Sequence, residues 1–115
     1  MLVDIRSDKE WRDTGVAPQA LLLSMHTDSG TSGFADRLNE YLKGDKHRKV
    51  ALVCAGGVRS LYMQHYLQKQ GYTQVVNVSE GMVGGILSKG WIDQGLPIVP
   101  YAVPYAVPYV VPYVK

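Results

Sequence analysis

Four short apolar runs constrain this chain more than anything else in it: LVDI (2–5), ALLLSM (20–25), KVALVC (49–54) and TQVVNV (73–78). The segments between them read as helices. SDKEW follows Arg6, with Ser7 placed to cap a helix and Glu10 three residues on, as in a capping box; Gly15 and Pro18 end it. A loop from Thr27 to Gly33 precedes FADRLNEYLKG (34–44), where Phe34, Leu38, Tyr41 and Leu42 recur at helical spacing and Gly44 is the stop. After a solvated basic turn, DKHRK (45–49), the third run ends in a cysteine. SLYMQHYLQKQG (60–71) then reads as a helix carrying Met63, Tyr66 and Leu67, closed by Gly71. Past the fourth run, EGMVGG is a glycine-rich turn and ILSKGW a short helical or irregular piece. Strands that alternate with helices are joined by right-handed crossovers, so the expected fold is α/β, a small parallel sheet flanked by helices on both faces. KVALVC, apolar almost throughout, has the character of a strand buried on both sides.

At 115 residues the chain is long enough for one domain with one core and too short for two ordinary ones. Its formal net charge of +2 is too small for a nucleic-acid or membrane-surface footprint. A single cysteine forms no internal disulfide, and MLVDIRSDKEW, with acids at positions 4, 8 and 10, has no signal-peptide character. A soluble cytoplasmic protein is the expectation. The last stretch differs in kind: in VPYAVPYAVPYVVPYVK, proline recurs every four residues from Pro100 to Pro112, which rules out a membrane-spanning helix and favours extended backbone. Residues 1–99 are therefore expected to form the domain and 100–115 a Val-Pro-Tyr repeat tail, whose tyrosines and valines suit docking on a surface or self-association.

VALVCAGGVRS (50–60) holds the chemistry. In a parallel sheet, ligands bind at the carboxyl ends of the strands, and Cys54 stands at one such end just before a helix. Backbone N–H groups of the following loop can turn inward as an anion-binding nest, and the helix beginning near Ser60 adds its positive end. Both favour thiolate, the nucleophilic form. Gly56 and Gly57 let the backbone curl around the sulfur without Cβ clashes, and Arg59 can brace the loop or meet an anion through its planar fork. A core cysteine that merely fills space needs neither the glycines nor the arginine.

C-A-G-G-V-R-S resembles the active-site loop C-x-x-G-x-R-[ST] of rhodanese-like sulfurtransferases. Asp4-Ile5-Arg6, Glu10-Trp11, Gly15 and Pro18-Gln19-Ala20 resemble that family's D-x-R…E-[YFW]-x-x-G-H-I-P-G-A block, with Val16, Ala17 and Gln19 in place of its His, Ile and Gly. Glu80-Gly81, Gly84-Gly85, Trp91 and Gly95-Leu96-Pro97 are similar to its E-G-G…W…G-x-P ending. The resemblance spans about residues 2 to 99 and implies the small parallel rhodanese fold, here without the family's usual helix and strand before the D-x-R block. The valine-rich tail is a candidate cover for the edge they leave. The resemblance also implies covalent catalysis through a Cys54 persulfide. Ala55, Gly56, Gly57, Val58, Arg59 and Ser60 form the substrate-binding loop, Asp4 and Arg6 are a supporting pair, and no metal or organic cofactor is needed. The implied partners are a small sulfane donor such as thiosulfate and a cyanide or thiol acceptor, protein thiols included.

Related phosphatases use a longer C-x5-R loop, because a tetrahedral phosphate ester needs a wider cradle than a sulfur atom; Cys54 to Arg59 is C-x4-R. An arsenate reductase on this fold would need a second, resolving cysteine. A non-catalytic binding module remains the alternative of a different class, although such members generally lose the cysteine. Among other polar residues, His65 lies eleven positions past Cys54, about 16 Å along a helix, and makes a poor general base. His47 belongs to a basic turn, and Arg12 and Arg48 to solvated faces. His26 follows the second strand toward the sheet's carboxyl edge, where a loop role is the plainer expectation. Glu80 and Gly81 are expected to be structural beside the loop, and Trp91 a core or lid aromatic.

Overall fold

The computed structural model describes residues 1–101, so residues 102–115, most of the Val-Pro-Tyr repeat, lie outside the described residues. The order is β1 (Leu2–Asp4), α1 (Asp8–Thr14), β2 (Leu21–Leu22), α2 (Gly30–Leu42), β3 (Val50–Val53), α3 (Val58–Lys69) and β4 (Val75–Asn77). All strand pairs are parallel, in the order β2-β1-β3-β4. The expected α/β architecture is the one observed.

Local chemistry sets most of the boundaries. The capping box forms as its sequence implies: Ser7 Oγ accepts from Glu10 N at 3.2 Å, and Glu10 Oε1 accepts from Ser7 N at 3.1 Å. Helix α2 begins at Gly30, inside the segment expected to be a loop, because Ser29 O accepts from Gly33 N at 3.2 Å and carries the helical ladder back through Thr31 and Ser32. The exit of α2 is the left-handed Lys43, φ 53°, one residue before the glycine that the sequence marks as the stop. Helix α3 starts two residues earlier than expected, with Gly57 as its N-cap. ILSKGW forms turns rather than a helix, with a bridge between Gly84 and Lys89.

The pleat divides the core in two. Val3, Ile5, Leu21, Val50, Leu52 and Val75 pack with Phe34 and Leu38 of α2 and with Met63 and Leu67 of α3. Leu22, alternating to the other face of the sheet, belongs to a second cluster with Trp11 of α1, Val16, Val99 and Tyr101. Helices thus cover both faces. The chain's return completes the second cluster: Val16 and Val99 exchange backbone hydrogen bonds of 2.9 and 2.8 Å, and Tyr101 meets Trp11 edge to face at 5.5 Å. The first residues of the repeat therefore pack on the face of the sheet that α1 covers, and the expectation that the tail covers an edge concerns residues that lie mostly outside the described ones.

Candidate active site

Parallel strands deliver their carboxyl ends to one edge, and that is where Cys54 is presented, one residue beyond β3. Its side chain is 1% exposed, yet it is surrounded by donors rather than by hydrocarbon alone. Gly57 N donates to Sγ at 3.2 Å and Ser60 N at 3.4 Å, while Ser60 Oγ lies 3.2 Å away. Burial pushes the thiol up, but the Ser60 hydroxyl, the Ser60 and Gly57 amides and the Gly56 amide together outweigh it, so the net displacement is downward. The nest expected from the sequence is present, and Ser60, itself fully buried, belongs to it as much as the glycines do.

Those N–H groups face the sulfur because the loop's carbonyls are drawn the other way. Cys54 O accepts from Met82 N at 2.8 Å, and Ala55 O from Val83 N and Gly84 N at 2.9 and 3.2 Å. Gly57 O accepts from Asn77 Nδ2 at 3.2 Å. Two glycines make this approach feasible. Gly57 has φ 92°, and a Cβ there would strike the Ser79 carbonyl; Gly81 has φ 70°, and a Cβ there would strike the Ala55 carbonyl. Of the pair expected beside the loop, Gly81 is the one that touches it. Glu80 points elsewhere, accepting from Ser79 Oγ. Trp91 holds the same turn through its backbone, Trp91 N donating to Gly81 O at 2.9 Å.

Arg59 does not reach into the cradle. Its guanidinium grips Glu10 through two hydrogen bonds, Nη1 to Oε1 at 2.7 Å and Nη2 to Oε2 at 2.8 Å. Nη1 also lies 2.6 Å from His26 Nε2. The guanidinium, helped by the Ser7 hydrogen bonds, holds the Glu10 carboxyl down at about 2 against the burial that opposes it. Arg59 thus braces the cysteine loop against α1, one of the two roles its sequence allowed. His26 joins the site's rim after all, carried there by the loop that follows β2.

Asp4 and Arg6, both fully buried, form the expected pair: Nη2 to Oδ2 is 2.8 Å and Nε to Oδ1 3.0 Å. Arg6 also donates to Thr14 Oγ1 at 2.7 Å and to Gly15 O at 2.9 Å, so the pair fastens the end of β1 to the end of α1. Its hydrogen bonds run to α1, and Glu10 then carries that anchorage to Arg59. Val58 projects outward, 78% exposed, and Ala55 and Gly56 contribute backbone alone. His65 and Arg48 are exposed, Arg12 pairs with Asp8, and His47 meets Thr73 Oγ1 at 2.9 Å. Sequence reasoning did not single out Asn77 or the backbone of Met82 and Val83. The available signal was an amide closing β4, the strand beside β3.

A family model described as "Rhodanese-like domain" matches residues 1–86. A protein of Allochromatium vinosum named "Sulfurtransferase" is 38% identical over 99 residues, which cover 86% of this chain and 78% of that one. A crystal structure of a rhodanese-like domain protein from Staphylococcus aureus is 34% identical, covers 86% of this chain and 80% of its own, and superposes with a TM-score of 0.60. A rhodanese structure from E. coli shares the fold at a TM-score of 0.62 and 20% identity, over 87% of this chain and 96% of its own.

Proposed function

The chain belongs to the rhodanese-like domain family, and from that premise we propose that it is a sulfurtransferase working through a persulfide on Cys54. One observation carries the reading: a buried sulfur with three hydrogen-bond donors within 3.4 Å, no acid or base among them. Such a cradle stabilises negative charge on sulfur both before and after a sulfur atom is added. With thiosulfate, the Cys54 thiolate attacks the outer, sulfane sulfur. The S–S bond of the donor breaks, sulfite leaves with the bonding pair, and Cys54 holds the persulfide anion. A thiol or cyanide acceptor then attacks the terminal sulfur and restores the thiolate, so one difficult transfer becomes two easier ones. The setting of Arg59 supports sulfur over phosphate chemistry. A phosphatase needs that guanidinium on its phosphate, whereas here both of its terminal nitrogens are occupied by Glu10.

The test is a thiosulfate:cyanide assay on wild type and Cys54→Ser, with intact mass after thiosulfate. A gain of about one sulfur atom (~32 Da) on wild type alone is the expected result. Turnover of an aryl phosphate without any sulfur uptake would move the assignment to a phosphatase, and neither activity would leave a binding module.

A further inference from the structure

The Val-Pro-Tyr repeat has no part in the chemistry at Cys54, yet its first unit, Val99-Pro100-Tyr101, lies within the described residues and shows how one unit is held. Val99 N donates to Val16 O at 2.8 Å and Val99 O accepts from Val16 N at 2.9 Å, in an antiparallel bridge. In such a ladder the backbone groups of the next residue point the opposite way, so the missing N–H of Pro100 costs no bond to this partner. Tyr101 meets Trp11 edge to face at 5.5 Å, and both pack in one cluster with Val16 and Leu22. Gly15, with φ 80°, admits the segment: a Cβ there would strike the Val99 carbonyl. Each residue of the tripeptide is thus used differently, the valine for paired backbone, the proline for a fixed extended course and the tyrosine for its ring.

The same tripeptide recurs at 103–105, 107–109 and 111–113, always four residues on. The residue before each unit is apolar throughout, Ile98, Ala102, Ala106 and Val110, and Ile98 is 36% exposed, so the site asks little of that position. Proline holds its own φ and biases the valine before it toward extended backbone, so every unit is prepared for the conformation this site takes. Shifting the tail by one unit loops out four residues, a length that ordinary connections use. A unit on the same chain is presented at an effective concentration of about a millimolar, roughly a thousandfold above that of a second copy at micromolar concentration. The chain's own later units are therefore the favoured alternative occupants.

We propose that Trp11, Gly15, Val16 and Leu22 form a recognition site for an extended Val-Pro-Tyr segment, and that the three later units of the tail are interchangeable occupants of it in the same molecule. The site is then filled by any one of four equivalent units, and loss of the first leaves it served by the next. Trp11 directly follows Glu10 on α1, so a filled site also keeps seated the helix whose carboxylate grips Arg59 beside the cysteine loop. The proposal concerns the tail and is independent of which reaction Cys54 performs.

The test compares the full-length protein with Tyr101→Ala and with a variant in which Tyr101, Tyr105, Tyr109 and Tyr113 are all changed to Ala. Urea unfolding should show the fourfold variant about tenfold less stable in its unfolding constant, the worth of the ring contact and its burial, while Tyr101→Ala alone loses about twofold. Nuclear Overhauser contacts in Tyr101→Ala should place the Tyr105 ring on the Trp11 indole. Added at millimolar concentration, the peptide Ala-Val-Pro-Tyr-Ala-Val-Pro-Tyr-Ala should restore the fourfold variant, and the same peptide with Ser for Tyr should not. Tyr101→Ala losing as much as the fourfold variant, with no ring on Trp11, overturns the proposal, because only the first unit would then fit. So does a fourfold variant as stable as wild type, or one that the tyrosine peptide fails to restore. A wild-type melting temperature that rises with protein concentration also overturns it, since the occupant would then come from a second copy.

Discussion

Arg59 and Glu10, 49 residues apart in sequence, close a two-pronged ion pair of 2.7 and 2.8 Å across the rim of the cysteine loop. Glu10 simultaneously completes the capping box of α1, so one carboxylate ties the start of a helix to the loop that holds the nucleophile. Losing it should affect stability and loop order together.

Glu10 has a folded-state pKa of about 2 against an ordinary value of 4.5. A depressed carboxyl contributes stability in full above its unfolded pKa and loses it as pH falls from 4.5 toward 2. Wild type should therefore weaken over that interval, and Glu10→Gln should show a flatter profile there. Because the pair is partly exposed, the loss in Glu10→Gln at pH 7 should be about 1–2 kcal/mol. Urea titrations at pH 7, 4 and 2.5 measure it; equal pH slopes for the two proteins would refute it.

Ser60 contributes both a hydroxyl and an amide to the sulfur, and Ser60→Ala removes only the hydroxyl. With burial still pushing the thiol up, the titration of Cys54 should move upward. Alkylation by iodoacetamide at pH 7 should slow roughly tenfold, the worth of one hydrogen bond to a charged group. At a pH high enough to ionise both proteins, the rates should converge.

Gly57 and Gly44 both have positive φ, but only Gly57 has a backbone carbonyl where its Cβ would go; around Gly44 there is nothing within 4 Å. Gly44→Ala should cost about 1–2 kcal/mol, the ordinary penalty of left-handed backbone. Gly57→Ala should cost more than that and lower persulfide formation on Cys54, because Ser79 and the loop must separate. Comparable losses of stability in the two variants would contradict the packing described.

Asp4 and Arg6 make a fully buried pair, and removing one partner strands the other's charge. Asp4→Ala or Arg6→Met alone should destabilise by about 3–5 kcal/mol, and the double variant should lose less than the sum of the two. Thermal melts of all three, read as a double-mutant cycle, check the coupling.

Much of this molecule is local and therefore legible in one dimension. The alternation of apolar runs and helical spacing specified a parallel α/β order, Ser7 and Glu10 announced their capping box, and a strand running into Cys54 and two glycines announced a poised sulfur. The start of α2 was misplaced because Thr31, Ser32 and Gly33 read as loop residues, yet they complete a helical turn once Phe34 and Leu38 are packed.

The convergence of distant loops is what local pattern does not encode. The order β2-β1-β3-β4 sets the carboxyl ends of β2, β1 and β3 side by side, which brings His26, Glu10 and Arg59 together. It also places β4 beside β3, so that Asn77 and the Met82–Gly84 backbone can draw the loop's carbonyls outward and leave its amides to the sulfur. Sequence alone determined that a cysteine would be presented at a strand end by a glycine-rich loop, because those conformational preferences reside in the residues themselves. Only the tertiary structure decided which groups surround that sulfur and where Arg59 spends its charge, because both depend on strand order and the close approach of separate chain segments.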